Sequence, residues 1–229
     1  TPPPPPPPHT LDSSSAASDV YKRQGVANGD RIGGLIFNGK HQELQPRSGS
    51  KGALQLFRLL VQSTDPEQGM QASLDHADSP DSTGLHSALK RCRRVAKPGS
   101  LIFILSDFYH INEDIKGQLL RLRQHNDVVA IQIVDPLEQS PPPSDVYGVS
   151  DGEHNGILDT RNRGQLVSYT QWCSEHHDSV AQAMRKRAIP LLHISTTDDA
   201  ASALRQFMSS SLTSAAGTVS SAAIEKVAL

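Results

Sequence analysis

Apolar positions in this chain come in two patterns, short runs without alternation and stripes spaced three or four residues apart. Leu101–Leu105 and Val128–Val134 are runs of the first kind, the pattern of strands buried on both faces of a sheet. Ile189–Ile194 reads as a third such strand. Arg31–Phe37 and Lys40–Leu44 flank Asn38-Gly39, a strong signal for a tight hairpin. The stripes predict helices. Leu54, Phe57, Leu60 and Val61 follow a capping Ser48 or Ser50, and Leu85, Ala88, Leu89 and Cys92 precede the stop at Pro98-Gly99. Ile115, Leu119 and Leu122 mark another. A longer helix carries Leu166, Tyr169, Trp172, Cys173, His176, Val180, Ala183 and Met184, and Asp198 or Asp199 caps a last one through Ala203, Leu204 and Phe207. Between the second and third runs, Pro141–Pro143 and the apolar pairs around Asp151-Gly152 predict a small hairpin over Tyr147–Thr160, either a partner surface or a lid on the sheet edge. Ser63–Ser82 reads as a polar loop.

Strands alternating with helices give an α/β fold around a mostly parallel central sheet, and one domain accommodates it. Composition narrows the class. The formal charge is −2, from 22 Lys and Arg against 24 Asp and Glu, so no bulk basic field argues for nucleic acid or an anionic membrane. No apolar run approaches the ~20 residues of a membrane span. Two cysteines, Cys92 and Cys173, exclude a disulfide scaffold or a cysteine-rich zinc module and favour a reducing, cytoplasmic compartment.

The ends read differently from the middle. Residues 2 to 8 are seven prolines, which form polyproline II and join no core. Ser14 to Gln24 resembles a translated sequencing adapter, and residue 1 is Thr, so residues 1–24 are expected to be non-native, with native sequence from about Gly25 and further chain upstream. Ser209 to Leu229 is Ser- and Ala-rich and predicts a disordered tail.

In a parallel sheet, ligands gather at the carboxyl ends of the strands. Two loops there carry hard oxygen donors suited to Mg2+ or Ca2+: Ser106-Asp107 at the end of the first apolar run, and Ser82-Thr83-Gly84 before a helix. Read locally, the same residues are a turn starter and a helix cap.

Gly29-Asp30-Arg31-Ile32-Gly33, Phe37, Thr83-Gly84-Leu85 with Ala88-Leu89, and Leu101–Asp107 together resemble the von Willebrand factor A-like family. Ser150-Asp151-Gly152, Leu158-Asp159-Thr160-Arg161 and His193–Asp199 narrow the likeness to its bacterial branch, "domain of unknown function 58". The likeness covers roughly residues 25–208. It implies a Rossmann-like sheet of order 3-2-1-4-5-6 with a metal-ion-dependent adhesion site on top. That site takes an Asp-x-Ser-x-Ser loop, a Thr loop and an Asp; Thr83 matches the second, Asp107 the third, and the first has no counterpart here. The resemblance therefore implies a missing central strand, a gap of roughly 10 Å between Arg31–Phe37 and Leu101–Leu105, and an aggregation-prone chain. Thr83 and Asp107 alone leave the Mg2+ shell incomplete, so a site functional in the intact protein is expected to stay empty here. Members of this branch occur with MoxR-type AAA+ ATPases, which implies a non-enzymatic adaptor or assembly factor whose metal is bridged by a partner carboxylate.

Rival readings use the same residue. Asp107 at a strand end also suits an α/β enzyme or a phosphoacceptor domain, although His193-Ile194-Ser195 stands where a receiver-type site wants Lys. A scaffold with a dead site is the third. Cys173, Glu175, His176, His177 and Asp178 crowd together as a weak zinc candidate, read more simply as a half-buried helix face. Ser48–Gly52 is a weak anion site without phosphate-loop spacing, and Lys90, Arg91, Arg93 and Arg94 complement a helix dipole. His193 is expected to be a core histidine. Hydrolase chemistry has no support, since no nucleophile-elbow glycines are present.

Overall fold

The computed structural model describes residues 31–38, 40–63, 84–109, 111–150 and 155–215. Its centre is a three-stranded parallel sheet of order β3-β4-β7, where β3 is Leu101–Ser106, β4 is Asp127–Val134 and β7 is Leu191–Ser195. Leu101 pairs with Asp127 and Ser106 with Gln132, while Ala130 pairs with Leu191 and Val134 with Ser195. β4 is the middle strand, and everything after Asp127 in it is buried.

Period-two geometry divides the apolar residues between two faces. On one face Ile104, Val128 and Ala130 meet Leu89 of α2 (Leu85–Val95), Ile115, Leu119 and Leu122 of α3 (Glu113–Arg123), and Val180 and Met184 of α5 (Arg163–Arg185). On the other, Val129, Ile131, Ile133 and Ile194 meet Ala200 and Leu204 of α6 (Ala200–Ala215). α3 begins where Asn112 accepts a hydrogen bond from Ile115 N at 2.9 Å. Gly99, at φ 80°, supplies the left-handed turn into β3 and donates to the His125 carbonyl at 2.7 Å.

Two antiparallel hairpins flank this unit. β1 (Arg31–Asn38) pairs with β2 (Lys40–Ser48), with a register shift between Ile32 and Gly34. It packs on α1 (Ser50–Ser63), where a Cβ at Gly34 would strike Leu56 and one at Gly52 would lie 2.7 Å from the Arg47 carbonyl. Arg91 of α2 reaches Glu43 of β2 at 2.8 Å. Among the described residues β1 pairs with β2 alone and not with β3. The second hairpin joins β5 (Val146–Ser150) to β6 (Asn155–Asp159), with Val149 and Ile157 exposed. A short helix, α4 (Pro136–Gln139), lies between β4 and β5 and was not predicted.

Several expectations need correction. β3 is not buried on both faces: Leu101 is 46% exposed and only Ile104 is buried, because β3 pairs on one side among the described residues. β7 begins at Leu191 rather than Ile189 and is buried only at Ile194 and Ser195; its His193 is exposed, not a core residue. On α1 the buried stripe is Gly52, Ala53 and Leu56, while Leu54 and Val61 face solvent. The hairpin needs small residues for its close approach, and those lie one helix face away from the large apolar ones. Trp172 is likewise half exposed. α6 runs to Ala215, into the Ser/Ala stretch read as tail. Residues 1–24, the loop Ser63–Ser82 beyond Ser63, and Thr83 lie outside the described residues.

Candidate functional site at the carboxyl edge of the sheet

Asp107 follows the last residue of β3, as predicted, and its presentation depends on Phe108. Phe108 adopts φ 57°, a left-handed conformation costing a side-chain-bearing residue about 1–2 kcal/mol. The ring is nevertheless fully buried with Ile104, Ile115 and Leu119. Burying a Phe contributes about 1.5–3 kcal/mol, which offsets the strain. Two backbone donors close the turn: Phe108 N donates to Ser106 Oγ at 3.1 Å, and Tyr109 N to Asp107 Oδ1 at 3.2 Å. Ser106 Oγ also donates to Asp107 Oδ1 at 3.3 Å. Asp107 and Tyr109 are left exposed on either side of a buried anchor.

The Asp107 carbonyl is held from behind. Gln132 Nε2, from fully buried Gln132 of β4, donates to it at 3.4 Å. His176 Nε2 of α5 lies 3.2 Å away; a carbonyl only accepts, so this histidine carries its proton on Nε2. Gln132 Oε1 is buried without a hydrogen-bond partner among the described residues.

Above this, three rings form a triangle of near-parallel planes. Tyr109 and His176 have centroids 4.9 Å apart at 15°, Tyr109 and Trp172 5.9 Å at 28°, and Trp172 and His176 6.4 Å at 16°. Trp172 is 50% and Tyr109 39% exposed. Burial pushes the Tyr109 phenol well above its ordinary pKa, and the charges of Glu138 and Asp107 add to that.

The ring series continues through His177 to His193, 6.4 Å apart. His177 Nε2 is buried without a hydrogen-bond partner among the described residues, 3.8 Å from Glu138 Oε2. Glu138 Oε1 accepts from Asp135 N at 3.3 Å and closes a capping box on α4. Burial raises the Glu138 carboxyl above the usual carboxylate range. Covering of the His193 ring, with His177 nearby, lowers that imidazole. Tyr169 ties α5 to α4 by donating to the Leu137 carbonyl at 2.8 Å, and burial pushes its phenol up to about 12. Val134, Gln139, His177, Asp178, Ala181 and His193 line an open groove of about 330 Å³ beside these residues.

The weak zinc candidate separates. Cys173 is buried, and that burial raises its thiol. Glu175 instead accepts from Gln171 Nε2 at 2.8 Å. Among the described residues no three His, Cys, Asp or Glu side chains converge as ligands. Asp107 contributes one carboxylate and Ser106 a hydroxyl already engaged in the turn, too few oxygens for the near-octahedral shell of Mg2+. The described residues therefore do not by themselves fit that ion. Sequence reasoning missed Gln132, Tyr109 and Glu138 as parts of this edge. Gln132 was the readable one, a lone amide inside an apolar run.

No curated protein matches the chain. A solved structure, "Crystal structure of conserved hypothetical protein BatB from Bacteroides thetaiotaomicron", is similar at 16% identity and TM-score 0.45 over 87% of this chain and 86% of that one. Residues 18–178 match the family described as "Protein of unknown function DUF58", a match that opens within the stretch read as non-native. Since that span is well over half of the 229 residues, the chain belongs to the DUF58 family.

Proposed function

We propose that this chain is a non-enzymatic, von Willebrand A-like interaction module of Rossmann-like topology. In this reading it acts in the cytoplasm as an adaptor or assembly factor for a MoxR-type AAA+ ATPase, docking through the carboxyl edge of the sheet. One observation carries the reading: Asp107 is held exposed at a turn that the buried Phe108 anchors, next to the exposed rings of Tyr109 and Trp172. A carboxylate fixed this way loses little freedom on docking, which lowers the cost of association.

The divalent cation takes a secondary place. Thr83 and Asp107 are proposed as two ligands of a Mg2+ site of the intact protein, whose Asp-x-Ser-x-Ser loop has no counterpart in this sequence. This chain is proposed to bind Mg2+ weakly or not at all.

The test is binding of the full chain to a purified MoxR-type ATPase by biolayer interferometry. Saturable binding is expected, with Asp107→Asn, which keeps the Oδ1 acceptor that closes the turn and removes only the charge, weakening it about tenfold or more (about 1.4 kcal/mol) while the melting curve stays unchanged. No binding, or binding indifferent to Asp107, would refute the reading.

A further inference from the structure

The exposed rings and the acid beside them form a surface with its own chemistry. Tyr109, His176 and Trp172 present aromatic faces in near-parallel planes, with Trp172 and Tyr109 substantially exposed. Asp107 stands at the rim, and its own hydrogen bonds within the turn engage only Oδ1. Glu138 lies close enough for its charge, like that of Asp107, to bear on the Tyr109 phenol. His176 Nε2 is committed to the Asp107 carbonyl, which fixes its ring in the cluster.

Ring faces are negative at their centres, and the neighbouring charges are carboxylates, so the complementary ligand is a cation. Between the two side-chain cations the geometry discriminates. A guanidinium is planar and weakly hydrated; it stacks on an indole or phenol while its edge donates to a carboxylate. An ammonium keeps its hydration and meets the same site only as a point charge. We propose that the Tyr109–His176–Trp172 cluster beside Asp107 is the docking surface for an arginine side chain of a partner protein. This rests on the docking reading above and names what the partner presents there.

Trp172 is the sole tryptophan of the chain, so its fluorescence reports on this surface directly. The experiment titrates the full chain at pH 8 and low salt with acetylated, amidated Gly-Arg-Gly, and in parallel with Gly-Lys-Gly and Gly-Glu-Gly. Saturable quenching by Gly-Arg-Gly is expected, at least about threefold tighter than by Gly-Lys-Gly and absent with Gly-Glu-Gly. Tyr109→Leu and Asp107→Asn, each checked for an unchanged cooperative melt, should weaken it about three- to tenfold, as expected for one exposed cation–π contact or ion pair. An equal response to lysine overturns the assignment to arginine, and so does no response, or one shared by the glutamate peptide. If the ATPase binds but Gly-Arg-Gly does not quench, this inference fails and the adaptor reading stands. Quenching without ATPase binding upholds the arginine surface and removes the adaptor reading.

Discussion

Gln132 is the residue whose replacement tests most directly how the sheet edge is built. It sits in the central strand with no solvent exposure, donates one long hydrogen bond of 3.4 Å, and leaves Oε1 without a partner among the described residues. Burying an unsatisfied acceptor costs about 1–3 kcal/mol. A bond at that length returns about 0.5–1 kcal/mol. Removing it does not orphan the Asp107 carbonyl, which His176 still serves at 3.2 Å. Gln132→Met keeps the length and flexibility of the side chain and discards both polar atoms. The expected result is a net stabilisation of about 1 kcal/mol, and a Tm about 2–4 °C higher for a domain of this size. Differential scanning calorimetry of the full chain reads this directly. Gln132→Ala serves as the contrasting variant, since it removes the same amide but leaves a cavity and should be destabilised by about 2 kcal/mol or more. A Tm for Gln132→Met that falls by more than 2 °C would refute the reasoning, because it would mean that Oε1 is satisfied and the amide is a net stabiliser.

Two further predictions concern titratable groups that are partly or fully buried. The folded-state carboxyl of Glu138 lies above its ordinary value, chiefly through burial, so its contribution to stability is present below the unfolded value near 4.5 and is lost as pH rises through the higher folded value. Glu138→Gln keeps the capping box and removes the charge; it should melt higher than the parent at pH 8 and the same at pH 4, and an equal difference at both would rule out this cause. Burial raises both cysteine thiols, Cys92 and Cys173, so both should react with a maleimide at pH 7.5 more slowly than free cysteine and reach its rate in denaturant. A thiol that reacts at the free rate in the folded chain would contradict the packing described for its helix.

Much of the fold was legible because it depends on local pattern. The run Val128–Val134 predicted a strand buried on both faces, and β4 is that strand. The stripes of α2 and α3 fell on the residues that enter the core, and Asn38-Gly39 located the first hairpin. What the pattern did not contain was position within the sheet. Leu101–Leu105 and Val128–Val134 look alike as sequences, yet only the second has a neighbour on both sides among the described strands. A run of apolar residues records how much surface must be buried, not which element covers it. The same limit explains α1, whose buried face follows the close approach of the hairpin and not its largest side chains. Asp107 was visible as a carboxylate at a strand end. Its companions were not, since Tyr109 and Trp172 are 63 positions apart and meet only through the packing of α5 on the sheet.

The turn after β3 joins fold and site in one device. Phe108 favours the buried state and Asp107 the exposed one, and adjacent residues satisfy both demands only if the chain reverses sharply between them. The left-handed conformation at Phe108 is that reversal, with the two backbone hydrogen bonds to Ser106 Oγ and Asp107 Oδ1 closing it. Glycine would adopt the same φ without strain but would give up the anchor, leaving Asp107 on a loose loop. The strain is therefore the consequence of holding a carboxylate still at the surface, using the core as the fixed point. A docking edge gains from that arrangement because the ordering cost is met during folding and need not be met again on binding.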